Sequence, residues 1–314
     1  MNGGAKSLGA GLLMVTALLS GCGSEEPAGN GMSVAASFYP IEYIARRVGG
    51  DLIDVYNPVP PGAEPHDLEL TPRTIERIQN SKVFLYLGHG FQPSIDRALD
   101  IVIRPATISK DVSEGVDLIP AAEHQEEGHE EEDEPVEGEA LDPHIWLDPM
   151  RAEKMVTNSE QALSQADPAN KAAYNANAEK LRGELSALDG EFKQGLANCA
   201  RKEFVTSHAA FAYIAESYGL EQVPVSGMSP EAEPSPAKLK EIIAFAREHD
   251  AKYIFFETLV DPGVAELIAS EVGAQTLVLN PIEGLTSDQQ TEGSDYFTLM
   301  RQNLANLKLA LDCK

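Results

Sequence analysis

Apolar positions along the chain follow two alternating patterns. Short β-branched or aromatic runs are separated by stretches in which apolar residues recur every three or four positions. Residues 33–38 read as a strand. Ile41, Ile44, Ala45 and Val48 then mark one helix face, stopped at Gly49-Gly50. Residues 52–56 predict a second strand and residues 58–69 a turn-rich loop. Thr71-Pro72 supplies a capping hydroxyl and a first-turn proline for a helix reaching about Asn80. Residues 83–87 form a buried-strand run, and 91–103 are helical. This β-α-β-α-β-α order predicts a parallel sheet with helices on both faces. A second α/β set has strands at 204–206, 222–225, 253–256 and 276–279 and helices at 209–217, 236–249, 264–272 and 296–311. Between the two sets, a helix following residues 142–149 ends near Gln165, and Asp167-Pro168 opens a longer one. Tyr174, Ala178, Leu181, Leu185, Leu188, Phe192 and Leu196 give it one apolar face, weakened only at Gly183, Gly190 and Gly195. Roughly 30 helical residues span about 45 Å, more than one small domain requires. The predicted fold class is therefore α/β: two parallel-sheet lobes, 33–166 and 199–314, joined by a long rigid helix over 167–198.

Composition supports two domains. The 314 residues are 43% hydrophobic and 24% charged, enough to bury substantial cores. The charge sum of 24 − 50 = −26 repels phosphate backbones and argues against a nucleic-acid partner, while suiting a cation. Residues 121–140 interrupt the pattern. Ten of the seventeen positions from 123 to 139 are acidic, and His124 and His129 sit among them. No core can form there, so the segment reads as a solvated loop, either a low-affinity cation antenna or a solubilising insertion.

The apolar run at 8–19 is too short to span a bilayer, which needs about 20 residues, and residues 1–21 read as a secretory signal. Leu19-Ser20-Gly21-Cys22 resembles the bacterial lipoprotein cleavage box. That resemblance implies a lipid on Cys22, a tether over 22–32 and an extracytoplasmic, membrane-anchored protein. An ordinary signal peptide ending near a cysteine is the alternative. Cys199 and Cys313 remain. In an oxidising compartment an even pair suggests one disulfide, with two buried thiols as the competing reading.

Three histidines occupy comparable positions: His66 just past a strand, His144 directly before a helix and His208 at a strand end. Ligands of open α/β sheets bind outside the carboxyl ends of strands, and several imidazoles meeting there suit zinc. Singly, each would read as a capping or packing residue. Their flanking strings change this. GAEPHDLELTP, DPHIWLDP and TSHAAFAY, together with SFYP at 37–40 and LVLNPIEGL near the end, resemble the zinc solute-binding proteins of bacterial ABC importers, a family with manganese-binding members. The resemblance covers about 33–313. It implies metal held between two lobes by His66, His144 and His208, delivery of Zn2+ to an ABC permease and its ATPase, a monomer, and no enzymatic activity.

The position of His208 is usually glutamate in manganese-binding relatives, so a third imidazole favours zinc. Many relatives carry aspartate where this chain has Asn280, and a neutral amide is a poor zinc ligand. Glu283 is the expected fourth ligand, with Glu64 or a water as alternatives. Asp142, Asp148 and Glu257 could accept the other ring proton of a ligating histidine, although Asp142 and Asp148 read equally well as helix caps. His89 follows a strand and could approach the cleft. His249 reads as a cation at a helix end or as an exposed residue. A zinc hydrolase is the rival from another class, but no HExxH or nucleophile elbow is present. An adhesin is suggested only by the anchor.

Overall fold

The computed structural model describes residues 1–3, 31–121 and 140–314. Most of the predicted signal, Cys22, most of the tether and most of the acidic insertion, with His124 and His129, lie outside the described residues. In chain order the elements are β1 (Met32–Ala36), α1 (Tyr39–Gly49), β2 (Ile53–Tyr56), α2 (Pro72–Gln79), β3 (Val83–Tyr86), α3 (Pro93–Val102) and β4 (Ile108–Asp111). Then come α4 (Pro149–Ala166), α5 (Lys171–Leu196), β5 (Glu203–Thr206), α6 (Ala212–Tyr218), β6 (Glu221–Pro224), α7 (Pro236–Glu248), β7 (Tyr253–Phe256) and α8 (Gly263–Val272). β8 (Gln275–Val278), α9 (Ser287–Glu292) and α10 (Tyr296–Ala310) complete the chain.

Two four-stranded sheets result, ordered β2-β1-β3-β4 and β6-β5-β7-β8, and every pairing is parallel. Each order reverses direction once, between β1 and β3 and between β5 and β7. Such reversals open a crevice at the carboxyl ends of the strands, because successive connections leave on opposite faces.

Local chemistry sets the helix boundaries. Thr71 Oγ1 accepts the Thr74 amide at 3.1 Å ahead of Pro72, and Ser235 caps α7 in the same way ahead of Pro236. Two elements escape the sequence pattern. β4 reads Ile-Ser-Lys-Asp, with no apolar run; it is an edge strand recruited by its ladder to β3. α9 has only six residues and rests on a capping box between Thr286 and Gln289.

The long helix is continuous over 26 residues, about 39 Å at the standard rise. It begins at Lys171, because residues 168–170 form a separate 3-10 turn. Its apolar face packs on α1 and α4 of the first lobe and on α6 and α10 of the second. One apolar core therefore runs from Ile41 and Trp146 through Leu188 to Tyr213 and Met300. Burial at both ends makes this helix a rigid spacer. Cys199 and Cys313 form a disulfide that ties the end of the spacer to the last turn of the chain. Among the described residues no helix is long and apolar enough to cross a membrane.

Candidate metal centre

Four loops at the strand ends converge between the lobes. The loop after β2 carries His66. Glu64 Oε1 accepts the His66 amide at 3.1 Å, and the His66 ring packs edge-on against Phe91 with centroids 4.4 Å apart. This loop reaches the other lobe through one backbone bond, Gly62 N–H to Leu285 O at 2.9 Å.

His144 sits in a more constrained turn. One oxygen of Asp142 lies 2.8 Å from both the His144 amide and its Nδ1. Tyr213 donates to the Asp142 carbonyl at 2.6 Å. Trp146 Nε1 donates to Pro281 O at 2.7 Å, and Tyr296 donates to Trp146 O at 2.6 Å. The turn is thus bonded to the second lobe at three points. His208 follows β5. Its carbonyl accepts from Thr206 Oγ1 and Gln222 Nε2, each at 2.8 Å. Its Nδ1 lies 2.6 Å from Oε1 of Glu257, which follows β7.

Glu283 follows β8. Asn280 Oδ1 accepts the Ile282 amide at 2.7 Å, and Asn303 holds the Asn280 amide and carbonyl at 2.8 and 2.6 Å. These bonds hold Ile282 at φ 58°, a conformation that β-branched residues avoid. Strain of that kind persists only where its surroundings over-determine it.

The three Nε2 atoms of His66, His144 and His208 lie 3.5, 3.4 and 3.5 Å from Glu283 Oε1. The Nε2 atoms of His144 and His208 are 3.4 Å apart, and all four ligating atoms fall within 4.8 Å of one another. A tetrahedral zinc with bonds of about 2.0–2.1 Å places its ligand atoms about 3.3–3.4 Å apart, so most of the spacings match the edges of that tetrahedron.

The donor chemistry fits as well. Nδ1–H groups bonded to Asp142 and Glu257 leave lone pairs on both facing Nε2 atoms. Among the described residues, His66 Nε2 and both Glu283 oxygens are buried without a hydrogen-bond partner. Lone pairs and a carboxylate packed together in a dry site repel one another until a cation lies among them.

Titration behaviour follows the same logic. Burial opposes charge on His144, but Asp142 outweighs it and raises the imidazole above its ordinary value. Burial likewise opposes charge on His208, yet Glu257 and Glu283 hold it well above that value. Burial would raise Glu283, but the charge of His66 and the nearby imidazoles of His144 and His208 hold it well below the carboxylate range. Glu64 is pushed up to about 9 by burial and by the neighbouring charge of Glu283. The site is built around positive charge.

The remaining candidates separate clearly. Asp142 and Glu257 contact histidine rings, whereas Asp148 caps α4 through the Met150 and Arg151 amides and pairs with Arg151 at 2.9 Å. Asn280 shapes the loop presenting Glu283. His89 lies apart from the cluster and contacts Ser113 Oγ at 3.1 Å. His249 is exposed at the end of α7, stacked on Phe245. Sequence reasoning missed Tyr213, Tyr296 and Asn303, because their partners lie 71, 150 and 23 positions away and no local pattern announces such contacts.

Comparison with known proteins bears on this site. The family described as ZnuA, zinc-uptake complex component A periplasmic, matches residues 34–310. The high-affinity zinc uptake system protein ZnuA of Bacillus subtilis (strain 168) is 37% identical over 295 residues, covering 92% of this chain and 90% of that protein. The zinc-binding lipoprotein AdcA of Streptococcus pneumoniae (serotype 4) is 34% identical over 294 residues. These cover 94% of this chain but 58% of AdcA, so the chain spans little more than half of that relative. The Zn(II)-bound ZnuA-like domain of S. pneumoniae AdcA superposes with a TM-score of 0.76 at 32% identity, covering 90% of this chain and 99% of that structure.

Proposed function

Because this chain belongs to the family of periplasmic zinc-uptake components, we propose that it captures one Zn2+ through His66, His144, His208 and Glu283 and delivers it to an ABC-type importer. The partners are a membrane permease and its ATPase. The carrying observation is the spacing of 3.4–3.5 Å between Glu283 Oε1 and three imidazole nitrogens. Three nitrogens and one oxygen favour zinc over manganese, which prefers oxygen-rich shells. The proposed role is capture without catalysis. A hydrolytic zinc keeps an open position for water, whereas four protein donors here complete the shell. A lipid on Cys22 would hold the protein at the outer face of the membrane, where exported zinc-binding proteins meet their cargo.

Elemental analysis of the purified protein beside His66→Ala, His144→Ala, His208→Ala and Glu283→Ala tests the assignment. About one zinc per wild-type chain is expected, with reduced retention in every variant. Full retention in His144→Ala or His208→Ala would contradict it.

A further inference from the structure

A second pocket lies on the strand-end face of the C-terminal lobe, apart from the four ligands. Its volume is about 320 Å³, and its walls include Val225, Pro230, Pro234, Phe256, Val260 and Val264. Three carboxylates, Glu231, Glu233 and Asp261, line it, and among the described residues no basic one does. All three are exposed, as is the apolar Val264. Ser207 also lines it, with its Oγ buried and without a hydrogen-bond partner among the described residues.

The pocket is wired to the metal centre. Ser207 precedes His208, and Phe256 precedes Glu257, the carboxylate at the His208 ring. The wall loop after β6 is laced to both neighbours of His208. Ser226 N–H donates to Ser207 O and Ala209 N–H to Gly227 O, each at 2.8 Å. Ser226 Oγ closes the loop on itself through Ala232 O at 2.7 Å. A group entering the pocket cannot displace this wall without moving the backbone on both sides of one ligand.

Building on the transport reading above, we propose that this pocket receives a basic side chain of the membrane partner and that its occupation loosens His208 to speed zinc release. The occupant is an arginine or lysine. Its aliphatic stem lies along Val260, Val264 and the two prolines, and its charge meets Glu231, Glu233 and Asp261. Charge complementarity selects it: the walls are largely apolar and every charged residue lining them is acidic, a surface that pairs with long basic side chains and repels acidic ones.

The test uses the full chain with Glu231→Gln, Glu233→Gln and Asp261→Asn combined. None of these residues is a ligand and all three are exposed, so zinc stoichiometry, affinity and thermal midpoint should match wild type. In cells lacking the native protein, zinc uptake supported by the triple variant should fall at least about tenfold, as loss of complementary charge slows encounter and docking. In vitro, a capped Val-Arg dipeptide at millimolar concentration should accelerate zinc transfer from the wild-type protein to a chelator. It should leave the triple variant unaffected, and a capped Val-Glu dipeptide should do nothing to either. Wild-type uptake by the triple variant, or no acceleration by the arginine peptide, would overturn the proposal. If the wild-type protein binds zinc yet supports no uptake, the transport reading fails instead.

Discussion

The two sides of the metal centre are built differently. His144 and His208 are fully buried. Each rests against a carboxylate on its Nδ1, and each sits in backbone bonded to other elements. His66 rides on a loop between β2 and α2. Its own amide is held by Glu64, it packs on Phe91, and the loop meets the second lobe at Gly62. Among the described residues its ring meets a carboxylate at the ligating Nε2, Glu283, and none at Nδ1. A carboxylate partner raises imidazole basicity and fixes the ring, while a loop retains freedom that must be surrendered on binding. The difference teaches that one side of the site is a fixed platform and the other a closing arm. The long helix, buried against both lobes, leaves local loop movement as the easier route for metal to enter and leave.

Removing platform ligands should do the most damage. Zinc sites worth about 10–16 kcal/mol divide among four ligands at about 2.5–4 kcal/mol each. His144→Ala and His208→Ala should therefore weaken binding about 1000-fold in competition titrations, and His66→Ala only about 100-fold. Equal losses in all three would erase the contrast. The bracing carboxylates come next: Asp142→Asn and Glu257→Gln should each cost about 10–100-fold with stoichiometry intact. Losses below threefold would show that the rings are held by packing alone.

Much of this division is visible in the chain itself, and the limits are instructive. The strand-helix alternation and the apolar face of α5 are local periodicities, so two lobes and a spacer are legible in the sequence. The histidines are legible because each lies at a strand or helix boundary in a distinctive string. What stays hidden depends on distant contacts. Asp142 and Asp148 stand in near-identical Asp-Pro settings, yet one bonds a histidine ring and the other caps α4. Only the fold distinguishes them. β4 lacks an apolar run and exists because β3 offers it an edge, and Asn303 reaches Asn280 from the closing helix.

Acidity gives a graded test. Their carboxylate partners raise His144 and His208 above the ordinary imidazole value of about 6.5, and a protonated imidazole must shed its proton to bind zinc. Zinc affinity should therefore climb as pH rises from about 5.5 to 8, and the thermal shift produced by zinc should grow with it. In the metal-free protein the raised imidazoles stabilise the fold below about pH 6.5, and that contribution is lost as pH rises through their folded values. A zinc-induced shift independent of pH would contradict this.

The smallest effect on binding should come from Cys199→Ser with Cys313→Ser. The bridge spans 114 positions and stabilises by up to about 4–5 kcal/mol on the chain-entropy model. The thermal midpoint should drop while zinc affinity stays within about twofold, because sites without shared partners respond independently.

The central claim is that three imidazoles and one carboxylate close around a single ion. X-ray absorption at the zinc edge of the fully loaded protein tests it most directly. The account predicts four nitrogen and oxygen neighbours at about 2.0–2.1 Å, with the outer scattering of three imidazole rings. A six-neighbour oxygen shell, or the signature of fewer than three rings, would contradict it.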